Sequence, residues 1–240
     1  MPRPRLRDPV FTEPFCCLDF AMRTQLMILM LWAGSLAWPL PAPAAAIKVA
    51  CLGDSITEGA GVDNPTVNAY PVVLGRLLGT NYTTRNFGVS GRTLLKKGDY
   101  PYWAEAAFRN ATNFLPDIVT IKLGTNDSKP QNWKYKDQFA TDLRALVDVF
   151  AGLSSKPKIY LCLPVPTYSI TFDINPDIIR NEIIPIIKQV AAEKGLQTID
   201  LYTALSGKQE IFPDDIHPNA IGAALIARTI HGAVLSARNP

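Results

Sequence analysis

Histidine and cysteine are scarce in this chain of 240 residues. It contains two histidines, His217 and His231, and four cysteines, of which only Cys51 and Cys162 follow residue 46. Two isolated thiols cannot form a disulfide framework or a four-ligand zinc site. We therefore expect Cys51 and Cys162 to be core residues.

Blocks of basic residues are also missing. The formal net charge of +3 is spread along the sequence, which argues against a nucleic-acid partner. With 48% apolar and 19% charged residues, the chain suits one medium-sized domain with a full hydrophobic core. The charge balance indicates no partner and leaves the oligomeric state open.

The first 46 residues differ in composition from the rest. A basic stretch leads into an apolar run over Leu26–Trp38, and small residues follow between Ala42 and Ala46. This order is typical of a secretory signal peptide. We expect residues 1–46 to be a leader, with Met22 as an alternative start, and residues 47–240 to form one domain.

A membrane anchor is the alternative interpretation of this leader. The apolar run is shorter than the ~20 residues that a membrane-spanning helix needs. It is also followed by prolines at positions 39, 41 and 43. We therefore expect a secreted or periplasmic protein, with no stable membrane insertion after signal cleavage.

After the leader, short apolar runs alternate with helical patterns. The strand candidates are Ile47–Leu52, Thr83–Val89, Ile118–Leu123, Lys158–Leu163 and Gln197–Leu201. The helix candidates are Ala69–Gly79, Trp103–Phe114, Tyr135–Leu153, Asp177–Lys194 and Asn219–Ala237. Such alternation predicts an α/β fold with a parallel sheet and helices on both faces. Ligand sites then lie beyond the carboxyl ends of the strands, and the candidate rims are Val62–Asn68, Gly98–Tyr102 and Ser128–Lys134.

Small polar groups follow three of these strands. Ser55 comes after the first strand, Gly91 after the second and Asn126 after the third. The N–H groups of Ser55 and Gly91 and the amide of Asn126 would together form an oxyanion hole. His217 lies in a polar turn, three residues after Asp214. A carboxylate at that spacing can fix the tautomer of the imidazole, as the base of a serine hydrolase requires, although an incidental histidine in a helix-capping loop is the simpler alternative.

Four short motifs carry a family resemblance: Gly53-Asp54-Ser55, Gly91, Gly124-Thr125-Asn126-Asp127 and Asp214-Asp215-Ile216-His217. In order and spacing they resemble the four blocks of the GDSL/SGNH hydrolases across nearly all of residues 47–240. The resemblance implies a flavodoxin-like three-layer α/β/α fold with a five-stranded parallel sheet. It also implies Ser55 as nucleophile, His217 and Asp214 as the rest of a triad, and Gly91 and Asn126 as oxyanion donors. Such a serine mechanism needs no metal ion and no organic cofactor.

Asp215 departs from the family pattern, because a glycine is frequent between the acid and the base in such enzymes. The departure leaves open which carboxylate contacts His217, and we choose Asp214. Ser90 lacks the second glycine of a G-x-S-x-G nucleophile elbow. The glycine-rich turn at residues 53–61 lacks the Lys-Ser/Thr of a P-loop. A catalytically inactive carbohydrate-binding module is the alternative of another class, and the retention of all four blocks argues against it.

The candidate pocket walls, Lys96–Trp103 and Asp127–Trp133, are polar and aromatic. Tyr102 and Trp133 are candidates to stack on sugar faces, and Lys129 is a candidate to bind hydroxyl groups. Together with the predicted signal peptide, the stretch from Gly124 to Trp133 resembles the family branch that includes bacterial sialate O-acetylesterases and acetylxylan-type carbohydrate esterases. This resemblance implies a serine esterase that hydrolyses short acyl esters, acetyl above all, on a glycan or small molecule. A lysophospholipase or an acyl-thioesterase of the same family is the alternative.

Overall fold

The computed structural model describes residues 45–236. The predicted leader therefore lies outside the described residues, apart from its last two positions. Five parallel strands form one sheet in the order β2-β1-β3-β4-β5. Their bounds are Ile47–Gly53 (β1), Tyr82–Gly88 (β2), Ile118–Lys122 (β3), Lys158–Leu163 (β4) and Gln197–Asp200 (β5).

Helices connect the strands on both faces of the sheet. The first five are Ser55–Glu58 (α1), Pro65–Asn68 (α2), Tyr70–Leu78 (α3), Ala106–Asn113 (α4) and Pro130–Trp133 (α5). The next five are Phe139–Ala151 (α6), Pro176–Ile178 (α7), Ile184–Lys194 (α8), Leu201–Leu205 (α9) and Ala220–Ser236 (α10). A π-helical turn, Ile179–Ile183, joins α7 to α8. Short 3₁₀ turns are Tyr102–Ala104, Asn126–Ser128, Lys136–Gln138 and Gln209–Ile211.

Alternating residues of the central strands feed two separate cores. In β1, Ala50 and Leu52 pack under α4, α6 and α8, whereas Val49 and Cys51 pack under α3, α9 and α10. The same alternation in β4 sends Leu161 to the first core. Because the central strands are buried on both faces, the sheet is the middle layer of a three-layer α/β/α sandwich.

The structure confirms the predicted fold class and the five predicted strands. Each predicted strand agrees with the observed one to within one residue at either end. Cys51 and Cys162 are free and buried, as predicted. Burial raises the pKa of the Cys51 thiol to about 12, against a weaker opposing hydrogen bond with Thr120, so this thiol stays protonated. None of the described helices is long and apolar enough to cross a bilayer.

Candidate active site

The turn after β1 places Ser55 at the carboxyl edge of the sheet. The Asp54 carboxylate accepts the Ile56 N–H at 3.1 Å and so caps α1, whose first residue is Ser55. Gly53 is tightly enclosed, because a Cβ there would lie 2.0 Å from Thr57 Oγ1. Ser55 is only 8% exposed, so the turn presents little more than its hydroxyl group.

The turn before α10 holds His217 against this hydroxyl group. His217 Nε2 lies 2.9 Å from Ser55 Oγ, and His217 Nδ1 lies 2.7 Å from Asp214 Oδ2. Asp214 Oδ1 also accepts the backbone N–H groups of Ile216 at 3.0 Å and His217 at 2.6 Å. When the Nδ1–H group donates a hydrogen bond to the carboxylate, Nε2 of the neutral imidazole has a lone pair that can accept the Ser55 proton.

The charge of Asp214 is stabilised by the same contacts. Burial raises the pKa of this carboxyl, but the hydrogen bonds from His217 and Ile216 outweigh it and hold the pKa below its usual value. Asp214 therefore remains ionised while it orients the imidazole. Asp215 has φ +64° and accepts a hydrogen bond from Gln209 Nε2 at 2.8 Å. The structure thus brings Asp214, the carboxylate chosen from the sequence, to His217.

Gly61 brings the loop after α1 against the histidine turn. Its φ is +80°, and a Cβ at this position would lie 2.7 Å from His217 Cβ. Any larger residue would push the imidazole away from its present position. The separation of Ser55 Oγ and His217 Nε2 consequently depends on a glycine that touches neither atom.

Gly91 and Asn126 line the same cavity as Ser55 and His217. This cavity has a volume of about 250 Å³. Gly91 has φ +79°, a left-handed conformation that favours glycine. The Asn126 side chain donates to the Arg92 carbonyl at 3.2 Å, which links the loops after β2 and β3. The structure therefore brings all five predicted site residues to one place.

Beneath the Ser55 turn lies an ion pair that the sequence analysis missed. Lys122 Nζ lies 2.9 and 3.1 Å from the two carboxylate oxygens of Asp54, and 3.1 Å from Thr125 Oγ1. Both charged side chains are fully buried. Burial lowers the pKa of Lys122, and the adjacent carboxylate opposes this effect. The Lys122 ammonium group thus joins Asp54, the residue before Ser55, to Thr125, the residue before Asn126.

Asp127 connects the Asn126 loop to the loop after β2. Its carboxylate oxygens accept the backbone N–H groups of Leu94 at 3.0 Å and Leu95 at 2.7 Å. Complete burial raises the pKa of Asp127 to about 7, although these two hydrogen bonds act in the opposite direction. A second buried carboxyl group thus lies directly behind the proposed oxyanion donor.

Two predicted sugar-binding residues are core residues instead. Tyr102 is 1% exposed and donates its hydroxyl proton to the Phe87 carbonyl at 2.7 Å. Trp133 is 6% exposed, donates its indole N–H to Glu182 at 3.0 Å and packs against Phe139. Aromatic side chains with a polar atom are buried readily when that atom finds such a partner. The prediction that Tyr102 and Trp133 stack on sugars was therefore wrong.

Lys129, the third predicted substrate-binding residue, does line the cavity. The sequence analysis missed Phe172 and Ile174, which also line it. Both belong to the loop at residues 164–175 after β4, another carboxyl end of the parallel sheet. That position was the available signal, since such loops converge on one edge. Among residues 45–236, no group of three or more histidine, cysteine or acidic side chains is placed to hold a metal ion.

Comparison with known proteins identifies relatives of the whole described domain. The model of the GDSL-like lipase/acylhydrolase family matches residues 51–225. A protein named acetylxylan esterase from Xylanibacter ruminicola is 43% identical over 214 residues, which cover 81% of this chain. The match covers 45% of that protein, so the chain spans less than half the length of this relative.

Solved structures share the fold. A carbohydrate acetylesterase from Sinorhizobium meliloti superposes with a TM-score of 0.65 at 20% identity, covering 79% of this chain and 99% of that one. An aryl esterase from M. smegmatis gives 0.65 at 20% identity, with 80% and 99% coverage. A two-domain esterase active on acetylated mannans gives 0.59 at 23% identity, with 82% and 51% coverage. The family model spans most of the chain and all four sequence blocks, and the chain therefore belongs to the GDSL-like lipase/acylhydrolase family.

Proposed function

We propose that the protein is an exported serine esterase that removes acetyl groups from carbohydrates. The observation that carries the proposal is the continuous chain of contacts from Ser55 Oγ through His217 to Asp214, which opens on a cavity lined by Gly91 and Asn126. A hydroxyl, an imidazole and a carboxylate in this arrangement are the parts of a nucleophile with its general base.

In the proposed reaction, Ser55 Oγ attacks the ester carbonyl carbon while His217 Nε2 takes the hydroxyl proton. Asp214 remains ionised and stabilises the imidazolium ion. When the tetrahedral intermediate collapses, the bond from carbon to the alcohol oxygen breaks, and His217 returns its proton to that oxygen. Water then attacks the acyl-enzyme with His217 as base, which releases acetate and restores the Ser55 hydroxyl group.

The oxyanion hole in this proposal comprises the backbone N–H groups of Ser55 and Gly91 and the side-chain amide of Asn126. Because the intermediate concentrates negative charge on the former carbonyl oxygen, donors held in place beforehand stabilise it more than the ester. The hydrogen bond from Asn126 to the Arg92 carbonyl supports such pre-organisation. No metal ion takes part in this scheme.

The acetyl and carbohydrate parts of the proposal rest on two observations. The relative at 43% identity is named acetylxylan esterase. The cavity of about 250 Å³ also includes polar side chains, among them Ser90 and Lys129. A long acyl chain would need a larger apolar wall, since ligand pockets bury most of the ligand surface.

The test combines active-site variants with a series of esters. Ser55→Ala and His217→Ala should each lose nearly all turnover of p-nitrophenyl acetate while they stay folded, because each removes a group that reacts. Ser90→Ala is the matched control, since Ser90 also lines the cavity, but its hydroxyl donates to Glu58 and takes no part in the proposed reaction. Most of the activity remaining in folded Ser55→Ala would refute the mechanism. A kcat/KM that climbs from acetyl to octanoyl esters would favour the lysophospholipase or thioesterase alternative.

Export is a separate part of this proposal, and the composition of residues 1–46 supports it. Signal peptidase should cut in the small-residue segment, so the exported protein should begin near Ala45 or Ile47. N-terminal sequencing of protein from the periplasm or the medium tests this expectation. Exported material that still begins at Met1 or Met22 would contradict it.

A further inference from the structure

Phe172 is an exposed aromatic residue beside the proposed general base. Its side chain is part of the cavity wall, yet the residue is 59% exposed. The centroid of its ring lies 6.0 Å from that of the His217 imidazole, with an angle of 55° between the planes. A single exposed apolar residue is ordinary on a protein surface.

The backbone conformation at Phe172 is unusual. Phe172 has φ +53° and Asp173 has φ +61°, both in the left-handed region that non-glycine residues rarely adopt. The next two residues are anchored, since Ile174 is buried and the Asn175 N–H donates to Ser128 Oγ at 3.0 Å. Local strain of this kind persists where surrounding structure imposes it, and it clusters at ligand-binding sites. Here it holds an aromatic ring at the cavity mouth.

The proposed chemistry decides which half of a substrate meets this ring. His217 must return its proton to the departing alcohol oxygen, so the alcohol half of the ester lies on the His217 side of the cavity. Phe172 lies on that same side. Lys129, with an ammonium group able to donate hydrogen bonds, lines the same cavity. A pyranose offers both an apolar C–H face for a ring and hydroxyl groups for such a donor.

We propose that Phe172 is a substrate-binding residue that stacks on the pyranose ring bearing the acetyl group, so that it recognises the alcohol half of the ester. This inference rests on the proposed function. It transfers the stacking role that the sequence analysis gave to Tyr102 and Trp133 to a residue that solvent can reach.

The kinetic test compares two acetyl esters whose alcohols differ in size, ethyl acetate and an O-acetylated methyl xylopyranoside. Phe172→Ala should raise KM for the xyloside about tenfold, because one apolar contact is lost, and should change kcat/KM for ethyl acetate by less than about twofold. Phe172→Trp should keep the wild-type KM, since it restores a stacking surface. Tyr100→Ala is the matched control, because Tyr100 is equally exposed at 59% but does not line the cavity.

Equal losses on both esters would overturn the proposal, because the ring would then act on the catalytic groups. Unchanged kinetics on both esters would also overturn it, as would hydrolysis of ethyl acetate without hydrolysis of the xyloside. A wild-type protein that hydrolyses neither ester would refute the proposed function itself. Calorimetric titration of the xyloside into Ser55→Ala then decides the inference separately: binding that Phe172→Ala weakens about tenfold supports it, whereas absent or unchanged binding refutes it.

Discussion

Asn126 is the residue whose contribution to the proposed reaction can be isolated most cleanly. Its amide already donates to the Arg92 carbonyl, so its orientation is set before substrate binds. Asn126→Ala should lower kcat by about 10²–10³, the usual cost of one oxyanion donor, with little change in KM. Steady-state kinetics on an acetyl ester measure this split.

The control for this variant is Asn132→Ala, which changes a second buried asparagine in the adjacent helix α5. Asn132 donates to the Asn126 carbonyl at 2.9 Å and lies outside the cavity lining. The Asn132→Ala variant should be less stable than the wild type, since the Asn126 backbone carbonyl loses a buried hydrogen-bond donor. It should keep most of the wild-type kcat. A pure KM effect of Asn126→Ala would contradict the assigned role.

The buried pair of Lys122 and Asp54 gives a prediction about stability. Lys122→Met leaves a buried carboxylate unpaired and should lower the free energy of unfolding by about 3–5 kcal/mol. The double variant Lys122→Met/Asp54→Asn removes both charges and keeps an oxygen that can cap α1, so it should recover most of that loss. Urea titrations of the two variants measure the difference. Equal stability of the wild type and the single variant would show that the pair is not needed.

The residues that were predicted from the sequence and those that were missed differ in physical character. The clustering of Ser55, Asn126 and His217 was predictable, because these residue types lie in short motifs whose order and spacing are visible in the chain. The burial of Trp133 depends on Glu182, a distant residue in the π-helical turn, so no local pattern reveals it. Lys122 was missed because a lysine inside a strand signals exposure unless its buried partner is known.

Among the elements, β2 and α1 approach each other so closely that only glycine fits between them. A Cβ at Gly88, the last residue of β2, would lie 2.3 Å from the Glu58 backbone nitrogen. Gly88→Ala should therefore displace α1 with its Ser55, lower kcat and destabilise the fold by about 1–3 kcal/mol. Thermal unfolding and steady-state kinetics measure these two effects.

Gly232, in the middle of α10, provides the matched control. No atom lies within 4 Å of a Cβ built there. Gly232→Ala should raise the free energy of unfolding by about 0.5–1 kcal/mol, because alanine is the better helix former, and leave kcat unchanged. A Gly88→Ala protein that behaves like Gly232→Ala would show that α1 tolerates the shift.

The longer elements were predictable and the shortest were not. Strands and long helices bury a regular stripe of apolar residues, so their sequences carry a period. The one-turn helices α2 and α5 are too short to show one, and they occupy two of the segments that we expected to be rim loops. The continuous predicted helix over Asp177–Lys194 is instead divided by the π-helical turn, which periodicity does not reveal.

For the whole molecule, Asp127 links stability to pH. An aspartate in an unfolded chain has its ordinary pKa of 3.8, whereas in the fold the pKa of Asp127 is about 7. Between these values the unfolded state is ionised while the folded state keeps its proton, so stability falls as the pH rises from about 4 to about 7. Relative to Asp127→Asn, which cannot titrate, the wild type should lose up to about 4 kcal/mol over this range.

Chemical denaturation of both proteins at several pH values measures this difference. Because both proteins contain every other titratable group, the difference between their free energies of unfolding reports the titration of Asp127. Parallel profiles for the two proteins would contradict the raised pKa.

The proposed catalytic groups lie on both sides of the turn between α6 and β4. Ser55 and Asn126 precede this turn, whereas Asp214 and His217 follow it. A chain opened at its exposed Ser154 would yield two pieces, neither of which holds a complete triad. Pairing of β3 with β4 and packing of α3 against α10 would reunite them. The protein could thus serve as a split reporter, because ester turnover would show that the two fragments have reassembled.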